Sequence, residues 1–304
     1  MTGPTTTTDA TASKKIKLRS LLADKPWNVS LKKGTVRSEL FDFDFHEVEE
    51  VSDYFKAMIR EGAYDCGEMA IVTYLQAMSY GKPFVILPFV VSGTFHHKSA
   101  VYNTDKGNLT PATLAGHRMG VRTYSQTTGV WVRGILQHEY DTDISKVTWV
   151  TFDAAHAAEY TDPPNCERAP PGKKLIPMLL AGELDGALPA SLASNMPNDP
   201  RLKTLIPDPA AAAKAWAAKY GVTPINHMFV VTKALCERQP EIVRSLYDML
   251  AACRGGTDSP FPLGFSGNWK ALELVSDYAY EQKVIPRRFT VDELFSESAK
   301  ILGR

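Results

Sequence analysis

The order of apolar patterns predicts an α/β protein folded as two lobes with a ligand cleft between them. Three observations carry this expectation. Strand-like and helix-like runs alternate through the first hundred residues. A second α/β set begins at "HRMGVRTY". A further strand-like run, "INHMFVVTKAL", returns late in the chain. Together they place one lobe at residues 14–104 and 224–304 and the other at 105–223, and clefts at such junctions are common ligand sites.

In order, "KIKLRSLL" alternates like a strand, and "FDFDFHEVE" does so more clearly, with Phe41, Phe43 and Phe45 on one face. "VSDYFKAMIREGA" has the period of an amphipathic helix, closed by Gly62 as a C-cap. "YDCGEMAIVTYLQAMSYG" predicts a short strand, a turn and a helix that Glu68 opens. "KPFVILPFVV" reads as a strand buried on both faces, as in a parallel sheet. "FHHKSAVYN" is expected to be a further strand, and "TDKGNLTPATLAG" a loop with a short helix. In the second set, "HRMGVRTY" is a strand, "TTGVWVRGILQHEY" a helix and "KVTWVTFD" a strand. "GKKLIPMLLAGE" then gives a helix and "LDGALPA" a strand, with Pro-rich loops around them. "AAAAKAWAAKYG" is a strong helix former. The C-terminal remainder is helical, with Thr290 and Glu293 spaced as a capping box, and its helices are expected to pack on the first lobe.

Bulk properties exclude several function classes. The 34 basic and 34 acidic side chains cancel, which argues against a coat for nucleic acid or an anionic membrane. Neither class of partner is expected, and a homo-oligomer is compatible with the composition. No segment approaches the roughly 20 apolar residues of a membrane span, and "FVILPFVV" is far too short. "MTGPTTTTDATASKK" lacks an apolar h-region, so residues 1–13 read as a disordered tail and the protein as cytoplasmic. The four cysteines are scattered, without a C-x-x-C pair, and suggest reduced thiols rather than disulfides or zinc ligands.

The junction "GVRTYSQTTGVWVRGIL" is the most informative stretch. A helix starting at Ser125–Thr128 leaves its first N–H groups unpaired, and its dipole favours an anion there. Ser125, Gln126, Thr127 and Thr128 add side-chain donors, and Arg122 at the strand end can grip a carboxylate with two parallel bonds. The competing reading is that these residues merely cap the helix. Arg133 either faces the cleft or pairs with a surface acid. Glu68 either caps its helix or works on protons and hydroxyls in the cleft. His96 and His97, adjacent in a strand, point to opposite faces, so at most one lines a given cleft. His227, in the return crossover, is a second cleft candidate. His46, His117, His138 and His156 form no metal-binding spacing, and no metal is expected, although ligands from distant segments are left open. Trp27, Trp131 and Tyr124 could sandwich an aromatic ring or sit in the core, where Trp149 and Trp216 are placed.

Taken with "YDCGEMAIVTYL", "FHHKSAVYN" and "LLAGELDGAL", that junction resembles the 4,5-dihydroxyphthalate decarboxylases, from about Lys15 to the C-terminus and most densely between Tyr64 and Ala187. The resemblance implies a type II periplasmic-binding-protein-like fold adapted to catalysis. It implies a small aromatic carboxylate as ligand and no organic cofactor, with a divalent metal left open. It selects His97 as the histidine that follows an aromatic-plus-basic pair. One departure concerns the first strand-to-helix loop, where the family carries a Tyr-Asp-Arg-Thr-like run; this chain has "DKPWNVSLKKG", with Trp27 in place of a basic residue. The implied chemistry protonates the ring carbon that bears the departing carboxylate, para to a hydroxyl, because direct loss of CO2 would leave an aryl carbanion. On this expectation Arg122 and Ser125–Thr128 hold carboxylate, His97 or His227 supplies the proton and Glu68 orients hydroxyls. A solute receptor for a carboxylate, or a menaquinone-pathway-like lyase on the same scaffold, would use the same junction.

Overall fold

A computed structural model describes residues 15–189, 197–255 and 259–303; the polar tail at 1–13 lies outside them. Two sheets form the framework. The first comprises β1 (Ile16–Leu21), β2 (Phe41–His46), β3 (Cys66–Ala70), β4 (Phe84–Gly93) and β11 (Ile225–Thr232), in the order β2-β1-β3-β11-β4. The second comprises β5 (Val101–Asn103), β6 (Arg118–Val121), β7 (Thr148–Thr151), β8 (Cys166–Arg168), β9 (Gly186–Leu188) and β10 (Leu202–Thr204), in the order β10-β5-β9-β6-β7-β8. The chain therefore leaves the first sheet after β4, builds the whole second sheet and returns through β11, the α/β architecture that the alternating patterns predict.

Both sheets are mixed. β2, β1 and β3 run parallel, and β11 enters antiparallel to β3 and to β4. Here the expectation for β4 needs correcting. Its continuous apolar run does not mark a parallel neighbour, because among the described residues β4 pairs only with antiparallel β11. Helices cover both its faces: Val85, Leu87, Phe89 and Val91 pack with Ile242, Val243 and Leu246 of the Pro240–Arg254 helix, while Ile86 and Val90 join the larger core on the other side. Burial on two faces records the layers above and below a strand, not the direction of its neighbour. In β2 the alternation holds, with Phe41 fully buried and Phe43 and Phe45 half-buried, stacked 4.7 Å apart.

Other expectations shift by a few residues. "YDCGEMA" holds no turn: Gly67 lies inside β3, where a Cβ would stand 2.2 Å from the Leu21 carbonyl oxygen, so glycine is what allows β3 to pair with β1. Glu68 is likewise a strand residue, and the helix that follows is Ile71–Ser79. His96 and His97 sit in the turn after β4 rather than in a strand. Gly62 and Gly221 close their helices in the left-handed conformation, and the Thr290–Glu293 capping box forms. Among the C-terminal helices, Pro240–Arg254 and Val291–Leu302 cover the first sheet. Trp269–Glu281 packs both against the Ile71–Ser79 helix and against the Thr127–Tyr140 helix, where Gly134 leaves room for the Tyr278 ring. At the two crossovers the chain runs side by side, with the Thr94 N–H donating to the Pro224 carbonyl at 3.1 Å.

Candidate active site

A cavity of about 280 Å³ lies between the sheets, lined on one side by Phe55, Ala70, Thr73, Ser92, Gly93, Thr94, Asn226 and His227. Arg122, Gln126, Thr127, Thr128 and His156 line the other side, with Glu50 and Ser52 completing the wall. Arg122 follows the last residue of β6 and His156 lies in the loop after β7, the C-terminal ends of parallel strands where α/β folds place their ligands.

Two helices begin at this cavity. Thr127–Tyr140 starts after Gln126, whose side chain does not cap it, and Ile71–Ser79 starts after Ala70, again without a side-chain cap. No side chain caps this helix start, so the competing capping reading of Ser125–Thr128 does not hold, and the N–H groups of Thr127, Thr128 and Gly129 precede the first intrahelical bond. The two starts are tied together by the Val72 N–H, which donates to Thr127 Oγ1 at 3.3 Å. Both positive helix ends and Arg122 bear on one space, which favours an anion. Arg122 itself reaches across the gap, donating from Nη1 to Ser52 Oγ at 3.1 Å and to Asp53 Oδ1 at 3.3 Å.

Opposite this cradle stands an acid–base pair. His227 pairs with Ala70 across the β11–β3 ladder, which sets Glu68 on the diagonal and on the same face. His227 Nδ1 donates to Glu68 Oε2 at 2.6 Å, and the Ala23 N–H donates to Glu68 Oε1 at 2.7 Å. Glu68 has no solvent exposure and the His227 side chain 18%. Burial pushes the Glu68 carboxyl up, but the hydrogen bond and charge of His227, the Ala23 N–H and the charge of Lys25 outweigh it. The carboxyl is held below its ordinary value and stays ionised. With Nδ1 committed to the carboxylate, Nε2 is the nitrogen left for the cavity, the orientation a general acid or base requires. The Phe55 ring stands edge-on to the imidazole, 5.3 Å between centroids.

His156 also lines the cavity, a place that its spacing from other metal-binding residue types does not reveal. Its Nδ1 lies 2.8 Å from Thr73 Oγ1, and Arg122 Nη2 lies 3.4 Å from its Nε2. Burial, followed by the charges of Arg122, Lys56 and Arg60, pushes its pKa down to about 3. The ring is therefore neutral and can accept from Arg122. Its position shortly after the strand "KVTWVTFD" was the available signal, since loops at strand ends carry sites in such folds.

The remaining candidates stand elsewhere. His97 is buried beneath the Pro209–Tyr220 helix, its ring 6.1 Å from that of Trp216, and does not line the cavity. Trp27 packs edge-on to Phe89 in the core of the first lobe, beside the Arg254 guanidinium. Trp131 faces the crossover and donates from Nε1 to the Ile225 carbonyl at 2.8 Å. Tyr124 and Ser125 are buried beside the junction without lining the cavity, and Trp149 and Trp216 are core residues as expected. Arg133 is fully buried behind the cradle, so it neither opens to the cleft nor meets a surface acid. In each case the side chain falls on the core-facing side of its element, which local spacing does not reveal. The cysteines are free thiols, with Cys66 pushed up to about 12 by burial. No cluster of metal-ligating side chains and no helix long and apolar enough to cross a membrane occurs among the described residues.

No family model matches the chain. It is 32% identical over 213 residues to the 4,5-dihydroxyphthalate decarboxylase of Comamonas testosteroni, a match covering 65% of this chain and 62% of that protein. It is 31% identical over 183 residues to the 4,5-dihydroxyphthalate decarboxylase of Pseudomonas putida, covering 57% of this chain and 70% of that protein. The chain thus spans a little under two thirds of the first relative's length. Among solved structures it is similar to the alkanesulfonate-binding protein SsuA from Xanthomonas axonopodis pv. citri bound to MOPS. That likeness has a TM-score of 0.56 and 15% identity, over 93% of this chain and 99% of that one. The periplasmic aliphatic sulphonate binding protein SsuA from Escherichia coli gives a TM-score of 0.56 and 12% identity, over 92% of each chain. At such identities the likeness speaks to fold alone, and that fold is the two-lobed one of periplasmic binding proteins. The identity to the second relative, 31% over 70% of its length, shows that the chain belongs to the 4,5-dihydroxyphthalate decarboxylase family.

Proposed function

We propose that the inter-lobe cavity decarboxylates a dihydroxylated benzene dicarboxylate, 4,5-dihydroxyphthalate, to 3,4-dihydroxybenzoate and CO2. The observation that carries this reading is the Glu68–His227 pair, 2.6 Å apart, facing an anion cradle across one cavity. The names of the two relatives supply the substrate.

In this reading the retained carboxylate lies against Arg122 and the Thr127 helix start, which places the other carboxylate towards His227. Each carboxylate of this substrate is para to a hydroxyl, whose electron density enriches the ring carbon that must accept a proton. Protonated His227 gives its Nε2 proton to that carbon, and ionised Glu68 holds the ring in place through Nδ1. The ring–carboxylate bond then breaks, its electron pair returns to the ring and CO2 departs. The net change is dianion plus one proton to monoanion plus CO2, and solvent reprotonates His227. No organic cofactor is required by this route. A positioned proton donor contributes roughly 10²- to 10⁴-fold, and the preorganised charges of the cradle add to it.

A solute receptor would use the same cradle but gives no work to a buried carboxylate–imidazole pair. Incubation of the protein with 4,5-dihydroxyphthalate should release one CO2 per 3,4-dihydroxybenzoate formed. Tight binding of the substrate with no CO2 released would replace the decarboxylase reading by the receptor.

A further inference from the structure

Arg133 is a buried cation that ties its helix to Gln282, whose amide donates to the Val130 carbonyl, yet its charge is met by no carboxylate among the described residues. Its side chain is fully buried, its Nε donates to Gln282 Oε1 at 2.8 Å, and Nη2 donates to the Tyr124 carbonyl. The guanidinium lies over the Tyr124 ring, 3.9 Å from its centroid. Nη1 is buried without a hydrogen-bond acceptor, and no carboxylate pairs with the group among the described residues; the half-buried Asp162 acts on it only at longer range. A buried cation without a counter-ion is strongly destabilising, and an apolar side chain of similar volume would remove that penalty.

Its location supplies the reason. Nη1 comes within 2.9 Å of where a Cβ on Gly129 would stand, and Gly129 follows Thr128 in the first turn of the helix that lines the cavity. Nη2 holds the carbonyl of Tyr124, at the other end of the same junction. The guanidinium is thus seated directly behind the stretch that presents Gln126, Thr127 and Thr128 to the cavity, in a medium where charge is weakly screened. We infer that Arg133 is a positioning residue whose uncompensated buried charge is completed by the anion bound on the far side of this junction, favouring a dianion over a monoanion without touching either. This inference rests on reading the cavity as an anion site and not on the chemical step.

Arg133→Met and Arg133→Lys separate charge from packing. Dissociation constants for phthalate, a dianion, and benzoate, a monoanion, are measured by calorimetry for the wild type and both variants in 0.05 and 0.5 M salt. R133M should bind phthalate roughly tenfold or more weakly and benzoate only about threefold more weakly. The difference between the two probes should survive high salt, and R133K should restore most of it. Without ligand, R133M should melt no lower than the wild type. Equal losses for the two probes, no loss for either, or failure of lysine to restore the preference would overturn the inference, as would a wild type that binds neither anion. If R133M fails to fold, the Lys variant decides by the ratio of the two constants: a ratio close to that of the wild type supports the charge role, and a collapsed ratio overturns it. A wild type that binds phthalate but releases no CO2 from 4,5-dihydroxyphthalate leaves this inference standing and removes the decarboxylase.

Discussion

A carboxylate without solvent contact stays ionised only when its partners replace the water it has lost, and Glu68 has His227, the Ala23 N–H and the charge of Lys25 to do so. Glu68→Gln keeps the shape and removes the negative charge that accepts from His227 Nδ1. We expect kcat to fall about 10²- to 10³-fold while KM changes less than about threefold, as steady-state kinetics would show. His227→Gln should lose as much, and the double variant little more, because the two act as one unit. Arg122→Lys keeps a charge but loses the planar fork, so KM should rise, roughly tenfold, with a smaller change in kcat. At this scale the sequence exposed what lies on one continuous stretch: Arg122 and Gln126–Thr128 announce themselves as polar residues at a strand-to-helix junction. Glu68 and His227 are 159 residues apart, and nothing local to either says that they touch. The same holds for His156, whose partners Thr73 and Arg122 come from other segments.

Among the elements, the Thr127–Tyr140 helix matters most, because its start forms the cradle and its body fixes where that start points. A Cβ on Gly134 would stand 2.1 Å from the Tyr278 ring. Gly134→Val should therefore push the Trp269–Glu281 helix away, costing about 1–3 kcal/mol, and lower the melting temperature measured by circular dichroism. The exposed capping box offers a milder comparison: Thr290→Ala removes the hydrogen bonds to Glu293 and should cost about 1 kcal/mol without altering activity. Helix and strand existence was readable because 3.6- and 2-residue periods are local. The direction of β4 was not, since a strand buried under helices on both faces has the same composition whichever way its neighbour runs.

Across the whole molecule, one apolar core runs through residues of both sheets, Met69 and Met228 with Val121 and Trp149, and polar contacts add to it. Arg60 donates from Nε to the His156 carbonyl and from Nη2 to the Ala155 carbonyl, each at 2.7 Å, and Lys82 meets Glu159 at 2.6 Å. Burial also sets a pH window. His96 is pushed down to about 4 and His156 to about 3, so the folded protein refuses protons that the unfolded chain takes up near pH 6.5. Below that pH the unfolded state binds more protons, and stability rises with pH across the interval. The melting temperature should hold above pH 7 and fall steadily from pH 6.5 towards pH 4. His156→Gln should flatten part of that slope. A melting temperature constant from pH 7 to pH 4 would contradict the buried neutral state of both rings.

By itself the sequence determined the α/β class, the passage of the chain through a second set of strands and back, and the donor-rich junction at residues 120–136. Each of these is written in periodicity or in neighbouring residues. Only the tertiary structure decided that Glu68 and His227 meet, that His156 faces Arg122, that His97, Trp27 and Trp131 are buried away from the cavity, and that Arg133 lies behind the cradle. Those facts depend on which faces of distant segments meet, and the packing of the whole chain sets that.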